Sequence, residues 1–166
     1  SERRKYIPMG FINQDTISTN GNLIVPNAEL YHFGILMSTM HISWVKLTCG
    51  RLKSDYRYSK DIVYNNYPWP EAPTDKQKLT LEEAAQAVLD ARDLFPSSSL
   101  ADLYDPNTMP PVLAKAHQQL DKAVDQCYRQ QPFTSEAKRI EYLFELYEKY
   151  TAGLFVSEKK KIKKSS

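Results

Sequence analysis

Apolar positions in the second half of the chain recur every three or four residues. Leu81, Ala84, Ala85, Val88 and Phe95 form one such stripe, the spacing of a helix that buries one face. Thr80-Leu81-Glu82-Glu83 reads as its capping box, with the Thr80 hydroxyl taking a first-turn N–H while Glu83 reaches back. Pro96 ends the run. Ser99-Leu100-Ala101-Asp102 opens a short helix through Tyr104. Pro110-Pro111 suits the first turn of a third helix, where N–H groups lack intrahelical partners. Its apolar face is Val112, Leu113, Ala116, Leu120, Ala123, Val124 and Cys127. Thr134 or Ser135 caps a fourth, with Ile140, Leu143, Phe144, Tyr147 and Tyr150 on one side. A bundle of about four helices is expected.

The first half is mixed. Ile7 to Ile12, Thr16 to Thr19 and Leu23 to Val25 read as short strands separated by Asn, Asp, Gly and Pro. From Glu29 to Leu47 the period becomes helical: Leu30, Phe33, Met37, Met40 and Trp44 step by three or four, and Gly50 is placed to stop the helix. Leu52 to Tyr58 then alternates, with Leu52, Ser54, Tyr56 and Tyr58 on one face and Lys53, Asp55 and Arg57 on the other. Ile62 to Tyr64 is a further strand candidate. The expected fold class is α+β: a small β-rich part with one amphipathic helix, then a mostly α-helical C-terminal bundle.

Tyr67-Pro68-Trp69-Pro70-Glu71-Ala72-Pro73 divides the two parts, because so many prolines exclude a central strand or a helix interior. Trp69, large and held between prolines, is expected to pin the parts together, with the helical part packed on the Phe33–Trp44 helix. The expected domains are residues 1–70, 71–155 and a basic, frayed tail over 156–166 that contains Lys159 to Lys164.

Net charge is +2 over 166 residues. Residues 1–70 carry 8 Lys/Arg against 5 Asp/Glu, residues 71–150 carry 9 against 14, and residues 151–166 carry 5 against 1. A polyanionic partner would therefore meet the first part or the tail. No apolar run is long enough to cross a bilayer. The N-terminal Ser-Glu-Arg-Arg-Lys leads into no signal peptide, and without an initiator Met it suggests a piece of something longer. Two cysteines, Cys49 and Cys127, fit a reduced cytoplasm.

Enzyme signatures are absent. Five glycines form no phosphate-cradling loop, and there is no His-Glu-x-x-His, Cys-x-x-Cys or Gly-x-Ser-x-Gly. Three scattered histidines and two cysteines make a zinc site unexpected. His32, His41 and His117 read as surface or packing residues, and Cys49 as a small buried hydrophobe. Arg51 to Ser59 is different. Charges at Arg51, Lys53, Asp55 and Arg57 bury nothing, so the segment is either an exposed recognition surface or a solvated strand with cross-strand ion pairs. Lys or Arg can donate to guanine O6 and N7 while a carboxylate accepts from cytosine N4, so Lys53 and Asp55 together suit a G·C pair.

Four blocks in order carry a resemblance. They are Phe33-Gly34-Ile35-Leu36-Met37-Ser38, Met40-His41-Ile42-Ser43-Trp44-Val45, Gly50-Arg51-Leu52-Lys53-Ser54-Asp55-Tyr56-Arg57-Tyr58-Ser59 and Val63-Tyr64-Asn65-Asn66-Tyr67-Pro68-Trp69-Pro70. The series resembles the target-recognition region of MmeI-like enzymes, large single-chain bacterial restriction–modification proteins and related class I DNA methylases. Ala91-Arg92, Ser99 to Asp105, Met109-Pro110, Lys115-Ala116-His117, Leu120-Asp121, Ala123-Val124-Asp125 and Leu143 to Glu148 similarly resemble their C-terminal helical domain.

The resemblance implies a partial DNA target-recognition domain over 1–70 and a C-terminal helical domain over 71–155. It implies a parent protein whose upstream domain binds S-adenosylmethionine and methylates adenine N6 in double-stranded DNA. This chain holds neither the Gly-rich cofactor motif nor the Asn-Pro-Pro-Tyr-type catalytic motif, so no catalytic, cofactor or metal site is expected within it. DNA-contacting residues are expected at Lys53, Asp55, Arg57 and Arg51, and at Ser18 and Asn20 in the turn Ser18-Thr19-Asn20-Gly21. The rival expectation is a protein-interaction or domain-docking module without direct DNA contact.

Overall fold

Helices account for nearly all the regular structure. The computed structural model describes residues 5–52 and 55–162, with backbone alone over 50–52, 55–57 and 153–162. In chain order the elements are α1 (Leu30–Leu36), α2 (Thr39–Thr48), β1 (Gly50–Leu52), β2 (Asp55–Arg57), a π-helical turn (Lys60–Tyr64), α3 (Asp75–Asp93), α4 (Leu100–Leu103), α5 (Pro111–Tyr128) and α6 (Glu136–Ile162).

The α+β expectation is overturned. Ile7 to Ile12, Thr16 to Thr19 and Leu23 to Val25 form no strands, and the three-residue β1–β2 pair is the only extended pairing among the described residues. The physical reason is context. A strand needs a neighbouring edge and a face to bury, and β-forming residues without them hold no sheet. The backbone between residues 10 and 28 instead bonds locally, Thr16 N–H to Asn13 O and Asn22 N–H to Thr19 O. Ile62 to Tyr64, also expected as a strand, lies in the π-helical turn, whose N-terminus Ser59 caps by accepting from Ile62 N–H.

The single helix expected over 29–47 is two. The apolar period runs on from Phe33 through Met37 to Met40, but Ser38 adopts extended backbone and starts α2 by accepting from His41 N–H. Asp121 of α5 adds a carboxylate oxygen 2.7 Å from Thr39 N. An acceptor at a helix N-terminus satisfies donors that would otherwise be orphaned. Likewise α3 begins at Thr74, not Thr80. Thr74 and Gln77 form the capping box, and the Thr80 hydroxyl donates to Lys76 O within the helix. A Thr-x-x-Gln box placed earlier in the chain performs the same bonding.

The core lies where α1 crosses α3 and α5. Leu81, Ala85 and Val88 of α3 meet Leu113, Leu120 and Val124 of α5, all fully buried. Gly34 of α1 sits at the crossing. A methyl group there would lie 2.5 Å from Leu81 Cδ2 and 3.2 Å from both Ala85 Cβ and Leu120 Cδ1. Gly34→Ala is therefore expected to destabilise the chain by about 1–2 kcal/mol net of its gain in helix propensity, lowering the melting temperature by several degrees. Thermal denaturation checks this, and an unchanged or raised midpoint would mean α1 is seated less closely.

On the other side α2 packs on α6, with the Trp44 ring 5.8 Å from Phe144 and 5.7 Å from Tyr147. The proline joint bridges the two parts as expected. Trp69 is half-buried with its ring against Tyr67 and His32, and its carbonyl accepts from the Tyr150 hydroxyl of α6 at 2.8 Å. Arg139 of α6 forks onto Asp125 of α5. The α6 backbone continues to Ile162, while Lys163 to Ser166 lie outside the described residues. Among the described residues no helix is long and apolar enough to cross a membrane.

Candidate nucleic-acid interface

The charged segment expected as one ribbon is a hairpin. β1 and β2 pair antiparallel, Gly50 with Arg57, Arg51 with Tyr56 and Leu52 with Asp55. The chain therefore reverses between Leu52 and Asp55. Lys53 and Ser54, which come between them in sequence, lie outside the described residues, and Arg51, Asp55 and Arg57 are described by their backbone only. Period-two alternation does not extend across a reversal, so the expectation that Leu52 and Tyr56 share one face opposite Lys53, Asp55 and Arg57 is lost. The reason is bond satisfaction: a lone ribbon leaves both edges unpaired, whereas folding back pairs one with itself.

The hairpin leaves the core by two roots. At the first, Cys49 closes α2 with its N–H on Val45 O at 2.9 Å. At the second, Tyr58 follows β2 and its hydroxyl lies 3.0 Å from His41 Nε2. His41 is fully buried, and its Nδ1 lies 2.9 Å from Leu36 O. Beyond Tyr58, the Trp44 indole N–H donates to Val63 O at 3.1 Å and holds the π-helical turn.

The turn expected at Ser18-Thr19-Asn20-Gly21 is present, one residue later in its closing bond. Asn22 N–H donates to Thr19 O, and Asn22 Nδ2 donates to Ser18 Oγ at 3.2 Å. Asn20 is exposed at its tip. The fold brings this turn beside the hairpin root. A cleft of about 560 Å³ is lined by Gly21 to Pro26 on one side and by Tyr58, Lys60, Tyr64 and Asn65 on the other. Phe11, Ile12, Ile17, Leu23 and Ile24 of the same loop are exposed, Ile17 almost wholly. The two groups of sequence-expected residues thus lie on neighbouring segments.

Sequence reasoning gave no functional role to the five residues that anchor this loop. The Tyr6 hydroxyl donates to Asp121 Oδ2 at 2.8 Å, and the Tyr6 ring stacks on His117 at 4.0 Å. Arg92 donates from Nη1 to Met9 O at 2.7 Å and from Nε to the Tyr104 hydroxyl at 2.8 Å. Because Tyr104 accepts from the guanidinium, its own proton goes to His117 Nε2, 2.7 Å away. His117 Nδ1 is then a buried N–H without a partner among the described residues. Their signal was available. Arg92 continues the stripe Leu81, Ala85, Val88, and His117 and Asp121 interrupt the stripe Leu113, Leu120, Val124. A polar group on a buried stripe is a network member, since burial without a partner costs several kcal/mol.

Burial dominates the ionisation of these groups. It pushes the His41 imidazole down to about 4, against a partial rise from the Leu36 carbonyl. His117 falls to about 3 through burial and then the nearby Arg92 and Lys5 charges. Asp121 is raised by burial. Cys49 is buried with its thiol pushed up by desolvation, and Cys127 rises to about 11 from the same cause. His32 is half-buried and its Nδ1 accepts from Glu29 N–H. Among the described residues no three His, Cys, Asp or Glu side chains are grouped to hold a metal ion.

Comparison with known proteins identifies the family behind this geometry. A family model described as "MmeI, target recognition domain" matches residues 1–71, and one described as "MmeI, C-terminal domain" matches residues 73–155. The chain belongs to the MmeI family. The stretch matched by the MmeI target recognition model contains the hairpin, the turn and the cleft. The stretch matched by the MmeI C-terminal model contains α3, α4, α5 and most of α6. A solved structure of the Type IIL restriction–modification enzyme MmeI in complex with DNA is 51% identical, with a TM-score of 0.87 over 92% of this chain and 20% of that one. DNA methyltransferase A of Bacillus subtilis (strain 168) is 48% identical over 151 residues, 91% of this chain and 17% of that protein. The chain thus spans a fifth or less of the length of these relatives.

Proposed function

We propose that this chain is the sequence-reading and C-terminal helical portion of an S-adenosylmethionine-dependent adenine-N6 DNA methyltransferase of a bacterial restriction–modification system. The observation that carries the reading is the target recognition match over residues 1–71, supported by 51% identity to an MmeI solved with DNA. The cofactor site and the catalytic residues belong to an upstream domain of the longer protein, and the reaction takes place in the bacterial cytoplasm. Lys53 and Arg57 donate to guanine edges, and Asp55 accepts from cytosine N4. Arg51, one pair out from the hairpin root, holds a backbone phosphate. Ser18 and Asn20 approach from the neighbouring turn. The helical part forms the base against which the reading loops are held, through Arg92, Tyr104, His117 and Asp121.

Duplex binding by the full-length protein, titrated against salt, is the test. The logarithm of affinity should fall linearly with the logarithm of salt concentration, by about 0.9 for each phosphate neutralised. Arg51→Ala should weaken binding to all sequences alike and reduce that slope by about 1. Binding that is unaffected by salt and by Arg51→Ala would favour the docking-module reading instead.

A further inference from the structure

We propose that His41 and Tyr58 are positioning residues for sequence reading: the buried imidazole clasps the Tyr58 hydroxyl and sets the angle at which the hairpin leaves the core to meet DNA. The inference rests on the reading of the hairpin as the DNA-reading element.

The hairpin cannot set its own direction. Its strands are three residues long, and a two-stranded ribbon of that size is marginal alone. Its orientation follows from its roots. The first root is fixed by the backbone bond that ends α2. At the second, Ser59 O accepts from Val63 N–H at 2.9 Å, and the bond at the residue adjoining β2 is the side-chain one from Tyr58 to His41.

The chemistry of that bond has one solution. Leu36 O can only accept, so His41 Nδ1 carries the proton. The neutral ring then presents a lone pair at Nε2, and the Tyr58 hydroxyl donates to it. With its pKa held near 4 by burial, the imidazole keeps this single tautomer throughout neutral pH. The ring is itself wedged by the edge of Tyr67, 5.0 Å away and nearly perpendicular.

The lever is long enough to matter. Three extended residues reach about 10 Å, so a tilt of about 6° at the root displaces the tip by about 1 Å. Base-edge hydrogen bonds hold only within a window of about 0.5 Å. A small loss of restraint at Tyr58 is thus amplified at the residues that touch bases, while the fold beneath is little changed.

The test is methylation-site mapping of the full-length protein on a randomised duplex library. Tyr58→Phe keeps the ring and removes the hydroxyl. It should retain methylation of the preferred site but lose discrimination at the base pair read by the hairpin, by roughly tenfold. Tyr67→Phe is the control. It keeps the ring edge that wedges His41 and removes a buried hydroxyl that accepts from Tyr128 at 2.8 Å and lies off the hairpin. It should lower thermal stability by a comparable amount and leave site preference intact. Unchanged preference in Tyr58→Phe, or equal relaxation in both variants, overturns the inference. Failure of the underlying reading has its own signature. Lys53→Ala and Asp55→Ala would then leave preference unchanged, and the hairpin would not read DNA whatever Tyr58 does.

Discussion

Acidification from pH 7 to pH 4 is expected to unfold the chain cooperatively. His41 and His117 are fully buried and neutral in the fold, with pKa values lowered to about 4 and about 3. In the unfolded chain each titrates near 6.5. Below that pH the unfolded state binds protons that the folded state refuses, so the stability present above pH 6.5 is lost as the pH falls toward 4. A tenfold difference in proton affinity between the two states is worth about 1.4 kcal/mol, so the two groups together remove on the order of 5 kcal/mol by pH 4. That is comparable with the whole stability of a small domain, about 5–15 kcal/mol. Asp121 acts in the opposite sense. Its raised pKa lets the folded state take up a proton before the unfolded state does, which returns part of the loss at the acid end. Circular dichroism followed against pH should show one transition between about pH 6 and pH 4. A native spectrum at pH 4 would contradict the burial of the two imidazoles.

The C-terminal helices were legible because their signals are local. Ser99 to Asp102 open the short helix expected there, Pro110 and Pro111 open α5, and Leu113, Leu120 and Val124 lie in the core at the spacing read from the chain. Local signals failed where two of them compete. Thr74 and Thr80 both offer a capping hydroxyl, and the joint's last proline, Pro73, leaves the earlier one to start the helix. Ser38 was invisible in a period that runs unbroken through Met37 and Met40. What decides the break is Asp121, distant in sequence, bonding Thr39 N–H. The apolar residues between 7 and 25 misled for a related reason. They have the composition of strands, but no partner edge reaches them, and Phe11, Ile12, Ile17, Leu23 and Ile24 stay at the surface.

The candidate interface was legible in part. Charge at alternate positions marked Arg51 to Arg57, and small polar residues marked the turn at Ser18 to Gly21. Neither pattern says that the charged segment folds back on itself. Leu52 and Asp55 are separated by two residues, Lys53 and Ser54, without the Gly or Asn that usually announces a tight hairpin. Nor does either pattern reveal that the turn comes to lie across a cleft from Tyr58 and Lys60. That proximity depends on the buried contacts of Tyr6, Arg92, Tyr104, His117 and Asp121, which join positions up to 115 residues apart.

Replacing Lys53 or Asp55 is expected to change which base the full-length protein accepts at one position of its site. A cation and a carboxylate two residues apart suit the two halves of a G·C pair, Lys53 on guanine O6 and N7 and Asp55 on cytosine N4. An isolated carboxylate would repel phosphate, so Asp55 within a basic run argues for base reading over backbone binding. Losing either contact should weaken discrimination by about 1–3 kcal/mol, and losing both should come close to abolishing the preference at that base pair. Arg51→Ala, by contrast, should lower affinity without altering preference. The most direct measurement is methylation-site sequencing of the full-length protein beside its Lys53→Ala and Asp55→Ala variants. A preference relaxed or switched at one base pair, with methylation retained, is the expected result. Identical preference in all three proteins, with methylation retained, would make these residues ordinary surface charges and contradict the account.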